Sequence, residues 1–334
     1  MTRSVAVFGA AGYAGALSAR LLARHPFFEL TSVTARSDVG RRLDDLYPHH
    51  RVPLVLEELD LDRHGDVDAA VVAYPHGAAA ELVLELHRRG VKVVDLSADF
   101  RLRDPAVYEE WYRPHPAPAL IGEAVYGLPE RYRDRIADAA IVANPGCYPT
   151  AAVLGLAPLA RAGLIADVVI DAKSGVSGAG RGATDQTHFV TVDENLKAYG
   201  VPRHRHTPEI EQELAALGAD LRITFTPHLI PLDQGELVSC YVTVPAGDGA
   251  AADDVRDLFA EMYADEPFVE LTDGLPGVRD VRDTNICRIA VHRDERTGRV
   301  IVFSALDNLW KGAASQAVQN LNLMFGRPEG EGIT

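Results

Sequence analysis

The 334-residue chain has three cysteines, Cys147, Cys240 and Cys287, at wide and unequal spacings. An odd, sparse set excludes a disulfide framework, and without a CxxC pair no metal site is expected. No apolar run reaches the roughly 18 residues of a membrane span, and Met1-Thr2-Arg3-Ser4 enters an apolar strand without a signal-peptide pattern. A cytoplasmic protein without membrane partners is therefore expected. Basic charge is scarce: 33 Lys and Arg stand against 48 Asp and Glu, a net charge of −15, with no Lys/Arg run of the kind that tracks a phosphate backbone. Nucleic acid is not an expected partner. Internal repeats and low-complexity segments are absent as well. What is present is an ordinary globular composition, 47% hydrophobic and 24% charged, in a chain long enough for two domains.

The first half alternates strand and helix. Val5-Ala6-Val7-Phe8 ends at Gly9-Ala10-Ala11-Gly12-Tyr13-Ala14-Gly15, followed by Leu17, Leu21 and Leu22 at helical spacing. Apolar strands recur at 29–34, 69–73 and 91–96, with a helix over 78–89 between the last two. Near-continuous apolar strands between amphipathic helices describe a parallel sheet covered on both faces, a doubly wound, Rossmann-type α/β domain. Beyond residue 146 longer β-rich segments at 167–172, 221–226, 237–244, 287–292 and 300–304 predict a second, α+β domain. Residues 307–325 read as one helix returning to the first domain. The expected division is 1–146 with 307–334, against 147–306.

Glycines between a first strand and its helix let the backbone approach a pyrophosphate at the helix N-terminus. Gly9, Ala11, Gly12, Tyr13, Ala14 and Gly15 are thus candidate dinucleotide contacts, although GxxGxxG departs from the commoner spacing. An NAD site would place Asp or Glu after the second strand; Ala35-Arg36-Ser37 stands there, and a cation with a hydroxyl suits a 2′-phosphate, so NADP is expected, held by Arg36 and Ser37. "NPGCYPTAA" at 144–152 sets Cys147 at a helix start, where the dipole favours thiolate. Cys240 and Cys287, inside apolar runs, read as small buried hydrophobes. "HRHTPEIEQ" at 204–212 begins a helix, with Thr207 as cap, Pro208 at its first position, Glu209 and Glu211 in its first turn, and two imidazoles just ahead. Ser97 and Arg101, in the loop after the strand at 91–96, and Arg181, in the glycine-rich loop from Ser174, are candidate phosphate contacts.

Together these segments resemble the N-acetyl-γ-glutamyl-phosphate reductase family of the semialdehyde dehydrogenase superfamily. The likeness runs through "VFGAAGYAG", "VDLSADFRL", "YGLPE", "NPGCYPTA", "KSGVSGAGR", "HRHTPEIEQ", "FTPHLIPLDQG" and "DNLWKGAASQAVQNLNLMFG", nearly the whole chain. It implies Cys147 as nucleophile, His204 or His206 as acid/base with His204 favoured, and Glu209 close by. It also implies NADP(H), a homodimer or homotetramer, and a small acyl-phosphate substrate. Candidate cofactor contacts then include Ser177, Gly178 and Asn308, and candidate substrate or phosphate contacts Ser97, Arg101, Asn144, Arg181 and Arg205. Trp310 departs from the smaller aliphatic residue more usual in that segment. The neighbouring readings are the carrier-linked aminoadipyl-phosphate reductase of lysine synthesis, aspartate-semialdehyde dehydrogenase and a non-catalytic nucleotide-binding regulator of the same fold.

Overall fold

The structure, a computed structural model, describes residues 2–246 and 255–333. The chain divides into two compact units, one of Met1–Gly146 with Ala313–Thr334 and one of Cys147–Gly312. Among the described residues no helix is long and apolar enough to cross a membrane.

The first unit is built on seven strands, β1 (Arg3–Phe8), β2 (Phe28–Thr34), β3 (Leu56–Glu57), β4 (Ala69–Val72), β5 (Lys92–Asp95), β6 (Val125–Tyr126) and β7 (Ile141–Ala143). They form one sheet in the order β3-β2-β1-β4-β5-β7-β6 with every pairing parallel. Val5, Ala6, Val7 and Phe8 of β1 and all of β4 are fully buried, the two-sided burial that uninterrupted apolar strands imply. Chain order reverses at β1, and the turn after it is the glycine segment. Gly9 takes φ +91°, and a Cβ there would lie 2.6 Å from the Ala73 carbonyl oxygen, so only glycine fits where the chain leaves β1 and passes β4. The helix that follows, Tyr13–Leu22, buries Leu17, Leu21 and Leu22 against the sheet.

The second unit is a seven-stranded mixed sheet of β8 (Asp167–Gly175), β9 (Lys197–Ala198), β10 (Thr224–Ile230), β11 (Glu236–Thr243), β12 (Val269–Leu271), β13 (Cys287–Asp294) and β14 (Arg299–Leu306), ordered β12-β13-β14-β11-β8-β10-β9. Across its centre β11 pairs antiparallel with both β8 and β14, while β10 lies parallel to β8. The helix Cys147–Arg161 packs on this sheet against β11 and β14 and against the helix Thr207–Ala215. Every residue of it from Tyr148 to Ala160 is buried. An all-round apolar helix is a core helix, which is why its pattern shows little amphipathic bias.

The single helix expected over 307–325 is interrupted. The Asp307 carboxylate accepts the N–H groups of Leu309 and Trp310 at 3.0 and 3.3 Å, a side-chain turn that competes with helix. A π-turn over Trp310–Ala314 follows, and regular helix runs only from Ser315 to Met324. Such turns are frequent at functional sites.

Candidate active site

Cys147 is the first residue of its buried helix, and its side chain is the one half-buried thiol of three. Cys240 and Cys287 are wholly buried: burial pushes the Cys240 thiol pKa up, and Cys287 Sγ lies 3.3 Å from Ser304 Oγ. The thiol's position depends on a close backbone neighbour. A Cβ added to Gly312, inside the π-turn, would fall 2.8 Å from the Cys147 Cβ.

Tyr148, the next residue, organises what surrounds the thiol. Its ring, 1% exposed, lies 5.8 Å from the His204 ring, 5.8 Å from His206 and 5.4 Å from Phe225, each edge-on. His204 in turn meets Tyr199 at 5.3 Å, Phe225 at 5.3 Å and His206 at 4.9 Å. Tyr199 donates its hydroxyl to Tyr148 at 3.3 Å, and Tyr148 donates to the His228 carbonyl at 3.3 Å. The His204 imidazole therefore stands in an aromatic box. That burial, with the Arg205 cation nearby, pulls its pKa down to about 4, so the ring is neutral at physiological pH. Its Nδ1 accepts the backbone N–H of His206 at 3.2 Å, which leaves the single ring proton on Nε2.

The helix behind the imidazoles begins differently from the expected capping. His206 is its N-cap, without a side-chain cap bond, and Thr207 is already its first residue. The reason is the turn closed by the Thr207 N–H to the His204 carbonyl, which winds directly into the helix. Pro208, expected at the first position, is therefore the second residue of the helix, and Glu209, 1% exposed, sits in the first turn as expected. A pocket of about 360 Å³ opens beside His204 and Tyr199, lined also by Lys197, Arg203, Arg205 and Asn195. Its cations make it suited to an anionic ligand. Arg181 and Arg205 are both exposed.

Glu236 escaped sequence reading. It heads β11, is fully buried with neither carboxylate oxygen hydrogen-bonded, and carries a pKa pushed up to about 8 by burial, with the Cys147 thiol opposing the rise and Asp307 adding to it. Tyr199, Phe225 and Gly312 were missed in the same way. The only signal available was an acidic residue opening an apolar run, "ELVSCYV", which gains meaning once the strand register puts it opposite Ser174.

Asn308 binds parts of the second unit together: its side-chain oxygen accepts the Gly235 N–H at 2.7 Å and its amide donates to Ser177 Oγ at 3.0 Å. Ser177 and Gly178 lie in the short 3-10 turn Val176–Ala179 that ends β8. Trp310 is buried and donates its indole N–H to Asp283 at 3.1 Å.

In the first unit the glycine turn leads to a helix N-terminus, capped at Gly12, that has no side-chain cap and no acidic residue in its first turn. The positive dipole end of the helix therefore faces whatever lies beyond the turn of Ala11, Gly12, Tyr13, Ala14 and Gly15, which fits a pyrophosphate. Tyr47 holds the turn by donating to the Ala11 carbonyl at 2.8 Å. After β2, Arg41 pairs with Asp38 and Arg42 with Asp44, whereas Arg36 lies 4.8 Å over the Tyr74 ring and has no carboxylate partner among the described residues. Ser37 beside it is exposed.

Ser97, Arg101 and Asn144 form an internally bonded set. Ser97 is fully buried and donates to Asp95 at 2.7 Å; Arg101, 5% exposed, donates to the carbonyls of Asn144 and Leu96, both at 2.8 Å. The Asn144 amide donates to the Ala313 carbonyl at 3.2 Å and its side-chain oxygen accepts from Asn320 at 3.0 Å. Burial and the nearby Asp99 push the Asp95 pKa up to about 7. Among the described residues no group of His, Cys, Asp and Glu is arranged to hold a metal ion.

Residues 4–139 match the family model described as the semialdehyde dehydrogenase NAD binding domain, and residues 147–308 the one described as the semialdehyde dehydrogenase dimerisation domain. A nicotinamide dinucleotide is thus the cofactor class. The chain is 53% identical to the N-acetyl-gamma-glutamyl-phosphate reductase of Desulforudis audaxviator, covering 98% of this chain and 97% of that one. It is 48% identical to the protein of the same name from Pelotomaculum thermopropionicum, covering 100% and 98%. Among solved structures it is similar in fold to aspartate semialdehyde dehydrogenase II of Vibrio cholerae, with a TM-score of 0.72 at 20% identity over 98% of this chain and 99% of that one. It is similar also to the Candida albicans aspartate semialdehyde dehydrogenase solved with NADP, with a TM-score of 0.71 at 15% identity over 97% and 99%.

Proposed function

The chain belongs to the N-acetyl-γ-glutamyl-phosphate reductases of the semialdehyde dehydrogenase family, and from that premise we propose how its residues carry the reaction. The enzyme reduces the small acyl phosphate N-acetyl-γ-glutamyl phosphate to N-acetylglutamate 5-semialdehyde, releasing phosphate, a step of arginine biosynthesis. The observation that carries the residue assignment is the accessible thiol of Cys147 at the start of a fully buried helix, clustered through Tyr148 with both imidazoles.

Cys147 thiolate attacks the acyl carbon; the S–C bond forms as the C–O bond to phosphate breaks, leaving a thioester on the enzyme. Covalent catalysis divides one hard displacement into two easier ones. The dinucleotide, when bound, supplies the hydride that reduces the thioester carbon. His204, neutral with its proton on Nε2, is suited to donate a hydrogen bond to the reacting carbonyl oxygen, as a neutral imidazole electrophile does. His206 holds that ring through its backbone N–H, and Glu209, buried in the first turn of the helix behind it, is its candidate partner. Arg181, Arg205 and the rigidly held Arg101 with Ser97 and Asn144 are the candidates for the phosphate and the α-carboxylate.

The glycine turn and the uncapped N-terminus of the helix Tyr13–Leu22 support pyrophosphate binding, and Ser177, Gly178 and Asn308 are the second unit's candidate contacts with the cofactor. The preferred cofactor is NADP(H), a reading supported by Arg36, which has no carboxylate neighbour among the described residues, and by Ser37. A homodimer or homotetramer is supported by the match of residues 147–308 to a dimerisation domain.

The test is phosphate-dependent reduction of NADP+ by N-acetylglutamate 5-semialdehyde. Wild type should turn over, and Cys147→Ser should lose about 10³-fold or more. Near wild-type turnover in the Cys147→Ser enzyme would end the nucleophile assignment.

A further inference from the structure

Three segments far apart in the chain, "YGLPE", "NPGCYPTA" and the C-terminal helix, meet at one buried amide. Asn320 stands in the middle of the helix Ser315–Met324 and is fully buried, where a polar side chain is costly unless it is bonded. Its Nδ2 donates to the Gly127 carbonyl at 2.9 Å and to Asn144 Oδ1 at 3.0 Å. Asn144 carries the connection onward, its own amide donating to the Ala313 carbonyl at 3.2 Å. Both ends of this relay are carbonyl oxygens, which can only accept, so the orientation of both amides is fixed. Close approach is built in at Gly127, where a Cβ would lie 2.7 Å from Asn320 Nδ2. Asn320 Oδ1 is sealed without a partner among the described residues, so what this side chain contributes is its two donors.

The relay grips the approach to the nucleophile. Asn144 is held through its backbone as well, its N–H donating to the Asp95 carbonyl and its carbonyl accepting from Arg101 Nε, both at 2.8 Å. Only Pro145 and Gly146 separate it from Cys147. At the other end Ala313 directly follows Gly312, the residue on which an added Cβ would fall 2.8 Å from the Cys147 Cβ. One amide thus ties down the chain that leads into Cys147 and the chain that abuts it.

We propose that Asn320 is a positioning residue for the Cys147 thiol, acting through Asn144 and Ala313. Without its donors Gly127 O and Asn144 Oδ1 are buried acceptors left unpaired, and the Asn144 amide is no longer directed at Ala313. The segment then relaxes and the sulfur shifts with it. The inference rests on Cys147 being the nucleophile.

The experiment compares Asn320→Leu with Asn322→Leu in the full-length enzyme. Asn322, two residues on in the same helix, is equally buried and donates to the carbonyls of Glu329 and Glu331 at 3.0 and 2.9 Å, bonds that do not lead to Cys147. Each variant loses two buried hydrogen bonds, and both should melt at a lower temperature. Only Asn320→Leu should lose turnover, kcat falling about 10- to 100-fold with both KM values within about threefold, while Asn322→Leu keeps kcat within about twofold. Asn320→Leu combined with Gly312→Ala should lose less than the product of the two single losses, because both displace the same atom. Equal kcat losses in the Asn320 and Asn322 variants, wild-type kcat in a folded Asn320→Leu enzyme, or a fully multiplicative double loss overturns the assignment. Should Asn320→Leu fail to fold, Asn320→Ser, smaller and with one hydroxyl donor, is compared with Asn322→Ser by the same criteria. An active Cys147→Ser enzyme removes the nucleophile and this proposal together; an inactive one beside an undisturbed Asn320→Leu removes the positioning role alone.

Discussion

Gly312→Ala offers a steric test of how the nucleophile is held. The added Cβ would sit 2.8 Å from the Cys147 Cβ, whereas comfortable contact begins at 3.4 Å, so one of the two must move by about 0.6 Å. Gly312 does not have a left-handed φ, so the substitution adds no backbone strain. Alanine even favours helix over glycine by about 1 kcal/mol, against an overpacking cost of about 1–3 kcal/mol. Stability should thus fall by no more than about 2 kcal/mol, and calorimetry should show a shift of a few degrees. Catalysis is the more sensitive readout, because displacement of a reacting atom by about 1 Å costs on the order of 10²-fold. The expected loss in kcat/KM is therefore about 10- to 100-fold, with Cys147 alkylation altered in parallel. Gly122→Ala, where an added Cβ meets nothing within 4 Å, serves as the control and should stay within about twofold. A folded Gly312→Ala enzyme within about threefold of wild type would show that the π-turn does not set the sulfur's position.

Arg36→Ala should raise the KM for NADPH about 10- to 100-fold, the worth of one charged hydrogen-bonding contact, and leave that for NADH unchanged; steady-state kinetics with both coenzymes decides it. His204→Asn should lower kcat by about 10²- to 10⁴-fold, and because the ring titrates near pH 4, the wild-type kcat/KM profile should show no histidine ionisation near 6.5. The same depressed pKa links to stability: the folded state binds fewer protons on His204 than the unfolded state, so stability present above about 6.5 is lost as pH falls toward 4. The drop in Tm from about pH 7 to about pH 4.5 should accordingly be smaller in His204→Asn than in wild type. Taking the difference between the two proteins removes the opposite contribution of Asp95, raised to about 7.

The parallel sheet was legible because Val5–Phe8 of β1 and the whole of β4 are apolar on both faces and so leave an uninterrupted signature in the chain. The mixed sheet was legible as strands but not as an order, since the central placement of β11 between β8 and β14 depends on long-range pairing that no local pattern encodes. The helix over 307–325 was overextended because small and amide-bearing residues there look uniformly helical; the Asp307 turn that breaks it acts through a side chain. Cys147 and the imidazoles stood out through their turn-rich and capping neighbours. Tyr148 as their common packing partner, the Tyr199 hydroxyl and the Glu236 carboxyl depend on register and burial, which a one-dimensional reading does not contain.

The return of residues 313–334 to the first unit also bears on how the protein is made. Its helix Ser315–Met324 packs on the helices Tyr13–Leu22 and Pro129–Ala137 and on β5, all synthesised long before it. At about 5–20 residues per second, the ribosome needs roughly ten to thirty seconds to extend the chain from Gly146 to Ala313. Throughout that interval the amino-terminal sheet waits with an apolar face unsheathed, while residues 147–312 can already close on themselves. Chaperone capture and off-pathway association are therefore expected to fall on the sheet of the first unit until residues 313–334 arrive to cover it.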